Sequence, residues 1–558
     1  MKKKSLAILL AAAMAVTAAG CGGGGTETKE ASEGGATTEN GVAAESGATE
    51  NGSAAGGSLA AEILGMTMPT STTSDELVVA VNSDPGTMDP YGPTFGPQLT
   101  FTTQAIETLF LYDANGQAVP LLAESLEMDE DLCGGTLHLR KGVKFHDGNE
   151  MKAEDVAYSF EKMSETGAGK SFLSIIDYAN IEVIDEYTLH IPTTSVCGIL
   201  DTTLTNLFVI EKSVYDAEHE ANATFTGTGP FVAKKWDPGV GCEFEAFEDY
   251  WGGAPVIKSL TLNIMSESSV RMIALENEEI QVYKTAAAND LERTINSEED
   301  GITVWRAAHS QACHFFLFNT VGPLASDPLV REAISYAIDS DTIVDIAFQG
   351  IGESGVSVIP QNNWYSPTMT DEQICKYDPE KAKTLLANAG YPDGITLHLI
   401  APTNSQNIVA ATELLPDMLK ASGITLTVDL MENAAYKDYM SNHTDYDIYL
   451  ANAGNLNEPV SALGGFFTRN NPAGTGGSGY MHYAESDFGT SIDEVLAKIN
   501  SLTDTDARKE AYQEFCNILA DNHVVKPLVD QYDTNLVRDN LKGLFMTPNM
   551  NFQFAYFE

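Results

Sequence analysis

Apolar and polar positions divide the chain into three regions. Leu6 to Ala19 form one apolar stretch behind Met1, Lys2, Lys3 and Lys4. It is too short to favour a membrane-spanning helix. A basic end, an apolar core and a small-residue exit have the pattern of a secretory signal. From Gly22 to about residue 73 apolar residues are sparse, apart from Ala60 to Met68, which predicts only a transient helical turn. Regular patterning begins near Asp75. Glu76 to Asn82 is a short, continuous apolar run and predicts a buried strand. Thr136 to Phe145 alternates and then meets Asp147-Gly148, a hairpin-type turn pair. Ala153 to Met163 predicts a helix, with Glu154 and Asp155 early, where they suit the helix dipole. Helices are also predicted over Leu329 to Phe348 and Asp378 to Ala389, and strands over Ile395 to Ile400 and Ile424 to Leu430. This alternation indicates α/β units.

Composition sharpens the picture. A chain of 558 residues exceeds one core, and about 150 residues per domain allows three or so. A hydrophobic content of 43% supplies an ordinary core. The 31 basic against 79 acidic residues give a net charge of −48. Binding phosphates needs clustered Lys and Arg, so nucleic acid and anionic lipid are poor partners. The acidic balance reads as a solvated face that keeps an exported protein soluble, in preference to cation steering. Residues 22 to 73 are rich in Gly, Ala, Ser, Thr and Glu, with Lys29 the only base. They carry a near-repeat, Gly35 to Gly41 and Gly47 to Gly52. Such a stretch buries too little to offset its ordering entropy and is expected to act as a leash.

Cys21 gives the leader its meaning. A cysteine at the first mature position makes a lipoprotein signal: the thiol takes a lipid and residues 1–20 are removed. Ala18 stands where such signals usually carry Leu. The other reading is an ordinary signal peptide with a nearby Cys. The mature protein is therefore expected outside a bacterial membrane, tethered to it by the lipid alone. Six cysteines remain, Cys133, Cys197, Cys242, Cys313, Cys375 and Cys516. They allow fifteen disulfide pairings. Their spacing is wide and no CxxC occurs, so free, buried thiols are expected and zinc or redox chemistry has little support.

Five groups of residues occur in order along the chain. The first is Ile106 to Gly116 with Pro120 and Leu122 to Ser125. The second is Leu139 to Gly148 with Ala153 to Ser159. The third is Gly227 to Phe231 with Trp236 and Asp249 to Gly253. The fourth is Phe318 to Thr320 with Val330 to Asp339. The fifth is Tyr377 to Gly390. Together they resemble the family 5 solute-binding proteins, the peptide/nickel type that serves ABC importers, in lipoprotein form. The resemblance implies an α/β, two-lobed periplasmic-binding-protein type II fold with an extra domain inserted in the first lobe. By it, 75–105, 208–309 and 529–558 form lobe one, 106–207 the inserted domain and 310–528 lobe two. Residues 21–74 are the lipid anchor and disordered linker. Two crossings between lobes make a hinge, and the lobes close on solute.

The resemblance also places a site. In peptide-binding relatives an acidic residue shortly before a Pro pairs with the peptide's amino group. Here that position falls on Asn455, ahead of Asn457, Glu458 and Pro459. A neutral amide offers hydrogen bonds without charge attraction. Glu458 is read either as a compensating charge or as a structural contact. Thr94, Phe95 and Gly96, after Met88-Asp89-Pro90, are expected in a loop facing the cleft. Phe172 stands where a relative's aromatic reaches in from the inserted domain. Lys284 and Thr285 are placed at the hinge side of the cleft, with Lys284 able to meet an anionic group. The basic residues that meet peptide C-termini in some relatives are absent, with Leu450 and Ser441-Asn442 in that area. Arg331 and Asp339 read as structural.

Other chemistry is thin. Ser164 to Ser171 nearly matches a phosphate loop, but Ser164 replaces the first Gly and a helix precedes it where the motif needs a strand. His309, Cys313 and His314 cluster in sequence without further ligands, so no metal site is expected. The reading is a non-enzymatic, monomeric receptor that needs no cofactor and hands a peptide or similar small solute to ABC permease subunits. The alternatives are an exported hydrolase, a sensor or adhesion module on the same scaffold, and a receptor for a nickel chelate or other non-peptide solute.

Overall fold

The computed structural model describes residues 58–92, 99–113, 116–297, 301–307, 312–403, 405–454, 456–467, 488–546 and 549–558. The predicted strand forms as Glu76–Val81, parallel to Ser259–Ile264 and to Val282–Tyr283. Leu77, Val79 and Val81 pack into one core cluster and Ala80 into another. A strand covered on both faces has no reason to alternate polar residues. Among the described residues, its sheet runs in the order Ile302–Arg306, Thr534–Arg538, Val282–Tyr283, Glu76–Val81, Ser259–Ile264, Gly241–Ala246, Phe231–Asp237.

A second sheet runs Glu353–Ser354, Val525–Gln531, Ala312–Phe318, Ile448–Gly454, Ile395–Pro402, Ile424–Met431. Its last two strands are the two predicted ones, and they pair in parallel from Ile395 with Ile424 to Pro402 with Met431. The chain passes between the two sheets after Arg306 and again after Gln531. A third sheet, Ala123–Met128, Gly134–Leu139, Thr188–Pro192, Glu182–Asp185, lies in sequence between strands of the first. No helix among the described residues is long and apolar enough to cross a membrane.

The groups of residues that stood apart in sequence meet in space. Glu107 is buried and accepts from Thr228 Oγ1 at 2.8 Å, Tyr250 OH at 2.6 Å and Trp251 Nε1 at 2.9 Å. The Arg140 guanidinium lies 5.0 Å from the centre of the Trp251 ring. His146 is structural: its Nε2 lies 3.0 Å from the Gly229 carbonyl, and burial pushes its pKa down to about 4. Asp147-Gly148 does make its turn, with the Gly148 N–H donating to Phe145 O at 2.9 Å and Gly148 at φ 95°. The strand before it stops at Leu139.

Three expectations change. The predicted helix Leu329–Phe348 is two helices, Pro328–Ala337 and Ser340–Ile346. Asp339 breaks it by capping the second, accepting from the Thr342 N–H at 3.2 Å and its hydroxyl at 2.7 Å. The stretch read as linker up to residue 74 holds a helix, Leu59–Ile63. Five residues do not hold a helix alone. Ala60 and Leu64 are buried in a cluster with Phe545 and Phe554, against the half-buried Trp251. Thr73 N–H also donates to Phe557 O at 3.1 Å. Third, the strand Val525–Gln531 belongs whole to the second sheet, so a boundary at 529 would fall inside it. Among the described residues the six cysteines are free, five buried and Cys133 half-buried.

Candidate solute-binding site

Two constellations of polar side chains hold the charged candidates. The first is at the crossings themselves. The strand Val282–Tyr283 ends on Lys284 and Thr285. Thr285 takes the left-handed conformation at φ 53°, which costs energy for a β-branched residue. The turn is held because the Thr285 N–H donates to Asn535 Oδ1 at 2.8 Å and the Ala286 N–H to Thr534 O at 2.9 Å. Lys284 is 8% exposed, and its Nζ lies 3.3 Å from Asp533 Oδ2. Its ammonium thus already has a counter-charge. The other Asp533 oxygen and Asn535 Nδ2 are buried and find no hydrogen-bond partner among the described residues.

Beside them, one sheet grips the other. Both Nη atoms of Arg306, at the end of a first-sheet strand, lie 3.3 Å from Glu353 Oε1 in the second sheet. The guanidinium stands 4.0 Å from the centre of the Tyr532 ring. Tyr532 OH donates to Glu353 Oε2 at 3.1 Å. Tyr532 and Asp533 are the residues of the second crossing.

The second constellation centres on Glu458, 1% exposed. Arg508 Nη1 donates to its Oε2 at 2.8 Å, and Tyr365 OH to the same oxygen at 3.2 Å. Tyr512 OH donates to Oε1 and accepts from the Val460 N–H at 2.9 Å. Burial pushes the Glu458 carboxyl up to about 7, against Arg508 and Tyr512, which pull it down. Burial also opposes the Arg508 charge, but Glu458, Tyr365 and Asp201 outweigh it and hold that guanidinium above its ordinary range. Both Glu458 oxygens are thus engaged by side chains inside the protein. Asn363 Nδ2 fastens the loop further, donating to Leu456 O at 2.6 Å.

The structure thus brings Lys284 and Thr285 to one constellation and Glu458 to the other. Asn457 is half-buried just before the helix Pro459–Phe467. Phe172 is half-buried at the end of the helix Gly167–Phe172. Thr94, Phe95, Gly96, Asn455 and Cys21 lie outside the described residues. The stretch before Thr94 is anchored through Asp89, which accepts from the Tyr91 N–H at 2.8 Å and Tyr215 OH at 3.0 Å.

Sequence reading missed Arg508, Asp533, Asn535 and the Arg306–Glu353 pair. Arg508 stands in a charged run, Asp504 to Glu510, that has the pattern of a solvated helix face. Its burial is visible only once Glu458, fifty residues away, lies against it. Cys313 and His314 are neighbours on one strand and so face opposite sides of the sheet, with His314 Nε2 at 2.8 Å from Gln531 Oε1.

Comparison with known proteins agrees with this architecture. Residues 117–474 match the model of the bacterial extracellular solute-binding proteins, family 5. The dipeptide-binding protein of Escherichia coli K12 is 25% identical over 536 residues, covering 88% of this chain and 96% of that protein. Among solved structures, HbpA2 of Haemophilus parasuis superposes with a TM-score of 0.77 at 21% identity, covering 87% of this chain and all of that one. The periplasmic binding protein DppA of Helicobacter pylori, in complex with the peptide STSA, superposes with a TM-score of 0.68 at 24% identity, covering 87% of this chain and 98% of that one. These neighbours share the two-lobed α/β type II binding-protein fold. With the family model matched over well over half its length, the chain belongs to the bacterial extracellular solute-binding proteins of family 5.

Proposed function

We propose that this protein captures a peptide or peptide-like small solute between its lobes and presents it, unaltered, to the permease of an ABC importer. The observation that carries the reading is the pair of chain crossings between two sheets, with the Lys284–Asp533 and Arg306–Glu353 pairs seated on them. A two-crossing joint permits rotation of one lobe against the other while keeping both folded. Lobe one is taken as 75–105, 208–309 and the C-terminal segment, with the second crossing at Tyr532-Asp533. Residues 106–207 form the inserted domain, and the rest is lobe two. Thr94, Phe95, Gly96, Phe172, Asn455 and Asn457 are the remaining solute-facing candidates.

The site is built for weak charge. Lys284 is neutralised by Asp533, Glu458 is engaged by Arg508, and position 455 is an amide. A neutral or blocked peptide suits it better than one bound through a free ammonium. The protein acts as a monomer, held to the outer face of the membrane by lipid on Cys21.

Mass spectrometry of compounds released from the purified protein tests the reading, followed by thermal shift with di- to pentapeptides and metal chelates. A specific ligand raises the melting point by mass action. Release of peptides together with a peptide-dependent shift supports it; turnover of the captured compound, or a shift with nickel chelates alone, overturns it. Asn455→Asp is expected to change affinity for the identified peptide in isothermal titration with the fold intact, and equal affinities would remove Asn455 from the site.

A further inference from the structure

We propose that the third sheet carries a second binding site, a polar hollow on its open face that takes one neutral, polyhydroxylated ring of the saccharide class. None of its residues belongs to the Lys284 or Glu458 constellations, and the proposal stands apart from the peptide reading above.

The two faces of this sheet differ. Leu137, Leu139 and Leu189 point to one face, at most 1% exposed, and share a core with Val156 and Phe160 of the helix Ala153–Ser164. Side chains alternate along a strand, so their neighbours face the other way. There Ser125 stands opposite His138, His138 opposite Thr188, and Thr188 opposite Asp185. Each of the four strands thus gives one polar residue to a single row. Ser125, His138 and Thr188 are half-buried. A hollow of about 210 Å³ lies over the row, lined also by Glu124, Lys141 and Tyr187. Drug-sized sites run to roughly 300–1,000 Å³, so this one admits a single small ring and not a peptide.

The row is held from behind by the core, and its polar atoms are only partly engaged. His138 Nδ1 lies 3.4 Å from Thr188 Oγ1, while its Nε2 is 3.8 Å from Glu127 Oε1, too far for a hydrogen bond. The Tyr187 N–H donates to Asp185 Oδ1 at 2.8 Å and fixes that carboxylate at the rim. Lys141 forms no ion pair among the described residues, and its ammonium sits 5.3 Å from the centre of the Tyr187 ring. Lys144 and Lys152, close by in sequence, each have a carboxylate, at 3.4 and 3.1 Å.

This mixture of groups selects the ligand. Glu124 and Asp185 repel an anion, and Lys141 repels a cation. A zwitterion satisfies one charge of each sign and leaves the hydroxyls and imidazole between them unmet. A ligand hydroxyl donates to a carboxylate, accepts from an ammonium and does either with Ser125 or Thr188. A ring carrying several hydroxyls therefore meets the whole row at once, with charge-assisted hydrogen bonds at both ends.

Saturation-transfer NMR on the full chain, titrated with glucose, galactose and N-acetylglucosamine, tests this. At least one of these sugars is expected to bind. Lys141→Ala and Asp185→Asn should each weaken that binding about tenfold, the loss of one charge-assisted hydrogen bond. Both side chains are exposed, so neither substitution disturbs the core. Acetate, methylammonium and glycine serve as controls at the same concentrations. Binding of none of the three sugars overturns the site. Unchanged sugar affinity in either variant overturns its location. Acetate, methylammonium or glycine binding as well as the sugar, with the same loss in the variants, overturns the assigned ligand class.

Discussion

The indole N–H of Trp251 donates to the Glu107 carboxylate at 2.9 Å, joining residues 144 positions apart in a buried site shared with Tyr250 and Thr228. Burial outweighs these donors and pushes Glu107 from its usual 4.5 up to about 7. The folded state therefore holds this proton more tightly than the unfolded chain. The stabilisation is complete below about pH 4.5 and is lost as pH rises through about 7. Its full span is on the order of 3 kcal/mol. Glu458 and Asp530, each also pushed by burial to about 7, act in the same sense. Denaturant midpoints should fall between pH 5 and pH 8, and Glu107→Gln should shrink that fall. An equal fall in the variant would exclude Glu107 as a source.

Arg508→Met should destabilise the protein by roughly 3–5 kcal/mol, because it leaves the Glu458 carboxylate buried without its cation. Adding Glu458→Gln should recover part of that loss, since an amide in the same place is less costly than an orphaned charge. Urea unfolding of the two single variants and the double variant gives the comparison. Strict additivity would mean that the two side chains do not interact.

Arg331 donates to four carbonyls, Ala325 and Ser326 from Nη1, Asn522 from Nε and Nη2, and His523 from Nε, at 2.9 to 3.2 Å. A lysine has no planar fork to span them. Arg331→Lys should cost at least about 2 kcal/mol in unfolding free energy, through carbonyls left without donors. Solute affinity should not change, because these carbonyls belong to the turn before the helix Pro328–Ala337 and to the segment just past the helix Thr505–Asp521. A stable variant with altered affinity would contradict the structural role.

At the crossings, Arg306→Ala should cost little stability, about 1 kcal/mol or less, since the pair is only partly buried. Its effect should fall on the joint. Amides of Ala307, which donates to Asp533 O at 2.9 Å, and of neighbouring residues should exchange faster, while the strands of both sheets stay protected. Unchanged exchange at Ala307 would show that the ion pair does not stiffen the crossing.

Much of the molecule was legible because it is encoded locally. The apolar run at Glu76–Val81, the alternating strands Ile395–Pro402 and Ile424–Met431, and the helix Ala153–Ser164 each carry their own pattern, and pattern reports which faces are buried. The segments that carry the family resemblance include Glu107, Thr228, Tyr250 and Trp251, which one buried hydrogen-bond site ties together although they lie far apart in sequence.

Sequence by itself thus determined the fold class, the family and the strands at Glu76–Val81, Ile395–Pro402 and Ile424–Met431. Tertiary structure alone decided what the charged residues do. In the sequence Lys284 and Glu458 stand as candidates to meet solute, and Arg508 is one charge within the run Asp504 to Glu510. Folding set Lys284 against Asp533 and Glu458 against Arg508, withdrawing both pairs from solvent. It also turned an apolar patch at Leu59–Ile63 into a helix by giving it Phe545 and Phe554 to pack on. A side chain's charge is a property of its residue. Its energy depends on the dielectric and partners around it, and those arrive from residues distant in sequence.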